Sequence, residues 1–381
     1  QTLGADPNNP RDARISVRMG LWAIGLSFPV MFLVYLFATD IAIALGQPEQ
    51  LARLAGPYVL ALAPGLPFAL GVFLLRNFLA TLDKTRIPLL IIVATTIVNA
   101  CLNWLLIYGN LGFPRLELVG AGLASCLSHL AGFLLLVAYI QWDRRARTFD
   151  LFGNLHRPHW ARLREILRLG MPISITFAFE VMLFNVAVFL MGLIGVEEVA
   201  AYQVALNVAA LAFMMPLGLS MAGCVRVGLA AGAGNQAGVR KAAGATIGVC
   251  VGAIMIAALL VTLFPYWIAG LYLDADDPAN VNVIAMVAGF LPIAGAFMLF
   301  DGTQVAASQA LRGLKDVNIP MVFTGISYWV VGFPVAAWFG LYTPVGATGI
   351  WWGLLAGLAT AAVLLGGRLL YLLRHPEKQP K

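Results

Sequence analysis

The chain has 381 residues, of which 61% are hydrophobic and only 11% are charged, and its formal net charge is +6. Such a composition excludes a soluble globular domain and indicates a membrane protein. The basic residues are spread over many loops, which argues against a nucleic-acid partner, and the continuous apolar runs lack the alternating pattern of an outer-membrane barrel.

Ten apolar runs recur along the chain, and each is long enough as a helix to cross a hydrocarbon core of about 30 Å. The predicted spans are 20–38, 57–80, 88–108, 118–141, 171–194, 199–223, 243–264, 282–310, 320–340 and 346–371. The sequence therefore predicts an all-α polytopic membrane protein with ten visible transmembrane helices.

The basic residues fall almost entirely on one side of these spans. Of the 24 lysines and arginines, all but Arg53 and Arg115 lie in alternate gaps, on the side that holds both visible termini. The positive-inside rule predicts that this side, and with it both termini, is cytoplasmic.

Two acidic residues lie within the predicted spans, Glu180 and Asp301. Glu180 follows Arg168 by twelve residues and Asp301 precedes Arg312 by eleven. At about 1.5 Å per helical residue, both carboxyls lie roughly 17 Å from the basic rim, at one depth. A charged carboxylate there costs about 3 kcal/mol on insertion scales, so the pair predicts a site that binds a cation or a proton. The alternative is a structural carboxyl, kept protonated between helices.

The chain contains an internal repeat, which is a signal to be sought before motifs are interpreted. The matching segments are FLATLDKTRIPLL (78–90) with ALRGLKDVNIPMV (310–322), VGA at 119 with VGA at 345, and LGADPNNPRDAR (3–14) with AGAGNQAGVRKA (231–242). The second half contains six predicted helices and the first half four. We therefore expect two homologous halves, the first lacking about two helices at the N-terminus.

This repeat predicts a partial first lobe at 1–142, a cytoplasmic linker at 143–169, a second lobe at 170–373 and a cytoplasmic tail at 374–381. The second part of the linker has the helical spacing of an interfacial amphipathic helix, with Trp160 on its apolar face.

Other motifs indicate neither a nucleotide nor a resident metal. Nothing matches GxxxxGK[ST], the cysteines stand singly, and the HxxH of His156 and His159 contains a proline and lacks an acidic ligand nearby. The glycines at 244, 248 and 252 predict a close helix-packing face.

The chain resembles the multidrug and toxic compound extrusion (MATE) transporters, and specifically their NorM-like bacterial branch. The most specific segments are AAYQVALNVAALAFMMPLGLSMAGCVRVGLAAGAGN (200–235), FEVMLF (179–184), FDGTQVAASQALRGLKDVNIP (300–320) and QTLGADP at the start. The resemblance implies twelve helices in two six-helix lobes with a central cavity between them, in a bacterial inner membrane. It also implies export of bulky, often cationic, organic compounds or drugs against inward Na⁺ or H⁺, with membrane lipid around a protein that we expect to be monomeric and without a cofactor.

Carried over by residue, Glu180 matches the acid on the seventh helix of the NorM-like branch and Asp301 the acid on the tenth, both of which are implicated in cation binding. Phe297 stands where some relatives have a tyrosine, so any role of that hydroxyl is absent here. The acid that the family has on its first helix lies outside this chain.

Seven further side chains are predicted to line a substrate cavity. Phe297, Gln304 and Ser308 share a helix face with Asp301, and Phe177 and Phe184 share one with Glu180. Gln203 and Asn207 repeat the polar spacing on another helix, where interhelical hydrogen bonds are an equal alternative. Ordinary core or lipid packing is the alternative for the aromatic residues.

Three other functions compete with cation-coupled export. A lipid-linked oligosaccharide flippase of the same superfamily would require a cationic cavity, whereas the deep charges here are acidic. An intramembrane enzyme with an acid dyad would carry GxGD, which is absent, so we expect no enzyme. A passive channel would not need two carboxylates at one depth.

Overall fold

The structure is a computed structural model that describes residues 2–5, 10–44, 46, 48–153, 155–274 and 277–380. Within these residues the chain is helical throughout its regular structure. Ten helices are long and apolar enough to cross a membrane: α1 Pro10–Leu36, α2 Glu49–Thr81, α3 Arg86–Tyr108, α4 Glu117–Trp142, α5 Trp160–Ile194, α6 Val196–Gly232, α7 Gln236–Leu263, α8 Val281–Gly313, α9 Asn318–Leu341 and α10 Ala347–Arg374. The predicted all-α fold and its ten spans are confirmed.

Short helices connect or flank the spanning ones. They are Thr2–Ala5, Ala38–Ala44, Arg144–Arg147 and Pro265–Gly270, with single 3₁₀ turns at Asn110–Gly112, Pro278–Asn280 and Pro376–Lys378. The predicted interfacial helix of the linker is not a separate element, because α5 begins at Trp160 and continues into the membrane-spanning run.

Two spanning helices are interrupted near prolines. In α2, a 3₁₀ turn at Ala63–Gly65 contains Pro64. In α9, a π-helix occupies Ile326–Gly332 directly before Pro334. Because proline has no N–H and its ring crowds the carbonyl one turn earlier, the regular hydrogen-bond ladder cannot continue through it, and the wider π turn absorbs the mismatch.

The chain divides into two compact units. The first comprises Asp6–Leu167, and the second comprises Arg168–Lys381 together with Leu3–Ala5. The division at Leu167 falls inside the predicted linker 143–169. Residues 6–9, which belong to the first repeat match, and Lys381 of the predicted tail lie outside the described residues.

In the first unit, side chains of α1 bind the linker backbone. Arg14 Nε donates to the Phe149 carbonyl at 2.8 Å, Arg18 donates to the carbonyl of Gly153, and Trp22 Nε1 donates to the carbonyl of Leu155 at 2.8 Å. These donors are four residues apart, so they lie on one helix face. The linker backbone at Phe149, Gly153 and Leu155 is therefore packed on α1. Arg14 and Arg18, which the charge pattern assigned only to the cytoplasmic side, thus also hold the linker in place.

Equivalent turns of the two halves have the same backbone conformation. In the first unit Lys84 N–H donates to the Leu79 carbonyl at 3.0 Å, and in the second Asp316 N–H donates to Leu311 at 3.0 Å. Asp83 and Lys315, which precede these donors, both have a positive φ, of 58° and 63°. This is the helix-terminating geometry in which a left-handed residue lets a later N–H reach back five positions.

An ion pair closes each of these turns, with the charges exchanged. Lys84 Nζ lies 2.5 Å from Asp143 Oδ2 at the end of α4, and Arg368 Nε on α10 lies 2.8 Å from Asp316 Oδ2. The hydrogen bond from Lys84 holds the pKa of Asp143 below its usual range, and the same bond raises the pKa of Lys84. We call these pairs the first and second turn pairs.

The second unit is built around α8, which contacts α6, α7 and α10. Close helix approach occurs at Gly353 of α10, where an added Cβ would collide with the backbone of Ala336. The prediction of a packing face at Gly244, Gly248 and Gly252 is wrong, since an added Cβ at each would meet open space. Spacing alone shows that glycines share a face, and it does not show what lies opposite.

Candidate functional site

The two intramembrane acids lie together in the second unit. Asp301 is on α8 and only 6% exposed, while Glu180 on α5 is half-buried. The two carboxyls interact electrostatically. One turn before Glu180, the Thr176 hydroxyl donates to the Pro172 carbonyl within α5 at 2.8 Å, so that its proton is not donated to the glutamate. The structure thus brings the two predicted acids into one group, and cation binding at this pair stays a prediction.

Tyr328 is a third member of this group, which the sequence pattern did not indicate. It lies on the π-helical part of α9, is fully buried, and interacts electrostatically with both Glu180 and Asp301. A π turn displaces the residues that follow it around the helix axis, and such turns are frequent at functional sites. Three helices thus each contribute one oxygen-bearing side chain, and we call Glu180, Asp301 and Tyr328 the oxygen cluster.

Two buried oxygen atoms of the cluster have no protein partner among the described residues. They are Asp301 Oδ1 and the Tyr328 hydroxyl. Leaving a buried polar atom unpaired costs about 1 to 3 kcal/mol, and more for a charged group. Carboxylate and hydroxyl oxygens are suitable ligands for a hard cation, and a carboxylate also accepts a proton. The cluster therefore has the chemistry needed to hold either Na⁺ or H⁺.

An aromatic group packs beside the cluster, centred on the fully buried Trp351. Its ring centroid lies 5.8 Å from that of Phe297, 5.4 Å from Tyr202 and 6.2 Å from Phe290. Phe184 extends the group, 6.0 Å from Phe297. Because Phe297 is one turn before Asp301, these rings place apolar surface next to the cluster and exclude water from one side of it.

The seven predicted cavity residues fall into two groups. Phe297, Gln304 and Ser308 are buried on α8, and Phe184 is partly buried against Phe297. Phe177, Gln203 and Asn207 are exposed, and Asn207 accepts a hydrogen bond from the Tyr272 hydroxyl at 3.0 Å. Contact with a substrate stays a prediction for all seven.

Arg312 is closer to the site than its place at the rim indicated. Its guanidinium carbon lies 4.8 Å from the ring centroid of Phe177, which is one turn before Glu180. Its charge interacts electrostatically with Glu180 and with Cys224. The charge pattern had treated Arg312 only as a marker of topology, because a linear sequence does not show that a long side chain turns back into the membrane.

Ten spanning helices and an intramembrane acid pair define a polytopic α-helical membrane protein of the transporter type, because such acids mark ion and substrate pathways. Comparisons with known proteins give the family. Residues 1–105 and 172–338 match the MatE family. The chain belongs to this family, the MATE transporters, as the sequence motifs predicted.

Among the relatives, the chain is 42% identical over 371 residues to the "Probable multidrug resistance protein NorM" of Rhizobium meliloti (strain 1021), covering 96% of this chain and 79% of that protein. It is 40% identical to the protein of the same name from Mesorhizobium japonicum, over 95% of this chain and 78% of that one. The NorM-like branch is thereby confirmed.

Two solved structures have the same fold. One is the outward-facing conformation of a multidrug resistance MATE family transporter of the MOP superfamily, with a TM-score of 0.86 at 20% identity, over 99% of this chain and 82% of that chain. The other is the eukaryotic MATE transporter AtDTX14, with a TM-score of 0.84 at 20% identity, over 96% of this chain and 80% of that chain.

Proposed function

We propose that this protein is a secondary active multidrug exporter of the bacterial inner membrane. It exchanges bulky, often cationic, organic compounds for inward-moving Na⁺ or H⁺, and the coupling cation binds at Glu180 and Asp301. The single observation that carries the proposal is the oxygen cluster, in which a buried carboxylate oxygen and a buried hydroxyl lack a partner within the part of the chain that the structure describes. A bound cation or proton would complete the coordination that the protein leaves open.

The physical basis of coupling is the cost of two carboxyls in one buried site. When neither is neutralised, they repel each other and lack hydration, and binding a cation or a proton removes both penalties. A ligand shifts a conformational equilibrium only if its affinity differs between the two states. A cluster that binds the cation better in one facing of the transporter, and an organic cation better in the other, couples the two movements.

The name of the relatives, multidrug resistance protein NorM, supports drugs as the substrate class. The exposed side chains of Phe177, Gln203 and Asn207 are our candidates for contact with such substrates. A flippase for lipid-linked oligosaccharides is not favoured, because the relatives are named multidrug resistance proteins. The pyrophosphate of such a substrate would also be repelled by Glu180 and Asp301.

The orientation follows from charge. With nearly all lysines and arginines on one side, we assign that side and both visible termini to the cytoplasm. Arg168 and Arg312 then mark the cytoplasmic side of α5 and α8, and Glu180 and Asp301 lie roughly 17 Å from them, near the membrane centre.

The test measures export of a fluorescent organic cation from vesicles that contain the full-length parent protein. Export is driven separately by a Na⁺ gradient and by a proton gradient, in wild type, Glu180→Gln and Asp301→Asn. We expect both variants to lose at least nine-tenths of the export rate, because each removes a negative charge from the cluster. If only one of the two gradients drives export, that gradient identifies the coupling ion.

Glu165→Gln is the matched control, since it removes another carboxyl of α5, which pairs with Arg162 at 2.7 Å at the start of the helix. This variant is expected to export like wild type. If Glu180→Gln and Asp301→Asn also export like wild type, the oxygen cluster does not couple the cation and the proposal is wrong.

A further inference from the structure

Arg312 is a deep arginine with an unusual set of neighbours. It is half-buried near the end of α8, and none of the carboxylates among the described residues lies within 4 Å of its guanidinium. Its guanidinium carbon lies over the face of Phe177, 4.8 Å from the ring centroid. An arginine next to a membrane interface normally extends toward the polar layer, whereas this one is held against an aromatic ring of a neighbouring helix.

The ring contact determines where the charge lies. Phe177 precedes Glu180 by three residues, so the two side chains share a face of α5. The guanidinium on Phe177 is therefore below Glu180, between this carboxyl and the basic rim. Its charge interacts with Glu180, and for Asp301 the electrostatic partner is Glu180 instead. Although Arg312 is on the same helix as Asp301, its charge therefore acts on Glu180.

We propose that Arg312 is a positioning residue, the resident counter-cation of Glu180, which competes with the coupling cation for this carboxylate. This inference rests on the proposed function, because it assigns Arg312 a role at the same cation site. When the coupling cation is absent, the guanidinium stabilises ionised Glu180. When the cation arrives, the two positive charges repel each other, so the cation is bound less tightly and is released more readily.

The charged and titratable groups that face Glu180 and Arg312 come from three helices. They are Asp301 on α8, Tyr328 on α9 and Cys224 on α6. Arg312 itself carries the positive charge that acts on Glu180. A unit charge about 10 Å from a carboxylate, at an effective dielectric constant of about 20, changes cation affinity by roughly tenfold.

The experiment measures the half-saturating concentration of the driving cation, Na⁺ or the proton, whichever drives export by the full-length parent. The probe is a fluorescent organic cation in vesicles. In Arg312→Gln we expect this concentration to fall about tenfold. Arg312→Lys keeps the charge, so its value stays within about threefold of wild type. Lys315→Gln is the matched control, because it removes a basic residue of the same rim that does not act on Glu180.

The outcomes separate this inference from the proposed function. If Glu180→Gln is inactive and Arg312→Gln leaves the half-saturating concentration unchanged, the Arg312 inference fails and the cation site stands. If Glu180→Gln exports like wild type, the proposed function fails first. If Arg312→Gln does not fold, Arg312→Met and Arg312→Lys are compared instead, and equal half-saturating concentrations in these two variants overturn the role of the charge.

Discussion

The two turn pairs allow a direct test of whether pairing, and not the identity of each charge, stabilises the turn. In the first unit, Lys84 of the turn pairs with Asp143 at the end of α4. In the second unit, Asp316 of the turn pairs with Arg368 of α10. The perturbation is the exchange Asp316→Lys with Arg368→Asp, which gives the second unit the charge arrangement of Lys84 and Asp143. Each single substitution brings like charges together.

The magnitude follows from burial of the second pair. The Asp316 side chain is 6% exposed and that of Arg368 is 18% exposed. Removing one partner of a buried ion pair costs about 3 to 5 kcal/mol, because the other charge stays buried and unpaired. Since Arg368 keeps some contact with solvent, we expect about 3 kcal/mol for each single variant. The double variant should recover at least half of this loss, because the same backbone turn already holds the reversed pair in the first unit.

The assay is thermal unfolding of the detergent-purified full-length parent. One kcal/mol shifts the midpoint by about 2 to 4 °C for a unit of this size, so each single variant should unfold roughly 6 to 12 °C earlier than wild type. The control exchanges Arg53 and Glu49, an exposed pair at 2.7 Å that should contribute almost nothing. A double variant no more stable than the worse single variant would refute the reasoning.

Three further predictions follow from the site and the turns. Tyr328→Phe removes a hydroxyl from the oxygen cluster and should raise the half-saturating concentration of the driving cation severalfold in the vesicle assay, with normal expression. Gly353→Ala should lower the free energy of unfolding by about 1 to 3 kcal/mol, because the new methyl collides with the backbone of Ala336, whereas Gly366→Ala, facing open space, should not. The pKa of Asp143 is lowered by Lys84, so the stability that this pair contributes is complete above the ordinary carboxyl pKa near 3.8 and is lost as the pH falls further. The difference in midpoint between wild type and Lys84→Met should therefore be constant from pH 7 to about 5 and close at lower pH.

Composition and periodicity predicted the parts of this structure that depend on the bilayer. The ten spans follow from the cost of polar groups in hydrocarbon. The cytoplasmic side and the common depth of Glu180 and Asp301 rest on the same cost and stay predictions. Tyr328 was missed because its position depends on the π turn before Pro334, which shifts the helical register in a way that regular periodicity does not reproduce. The sequence did not show that the Arg312 side chain extends toward Phe177, because a flexible side chain can extend toward the membrane centre or toward the rim from one backbone position.

The internal repeat also separates structural constraints from functional ones. Applying the offset of 232 residues, Lys84 of the first turn pair corresponds to Asp316 of the second, whereas Asp301 corresponds to Ala69 and Tyr328 to Thr96. Because a lysine on the turn with an aspartate partner and an aspartate on the turn with an arginine partner both close it, the turn requires an ion pair and not a particular charge at each position. Asp301 has no carboxyl counterpart at the corresponding position of α2, so packing of the repeated scaffold does not require it, whereas Thr96 keeps a hydroxyl at the position of Tyr328. A carboxyl at this position of the second unit is what the proposed cation site requires.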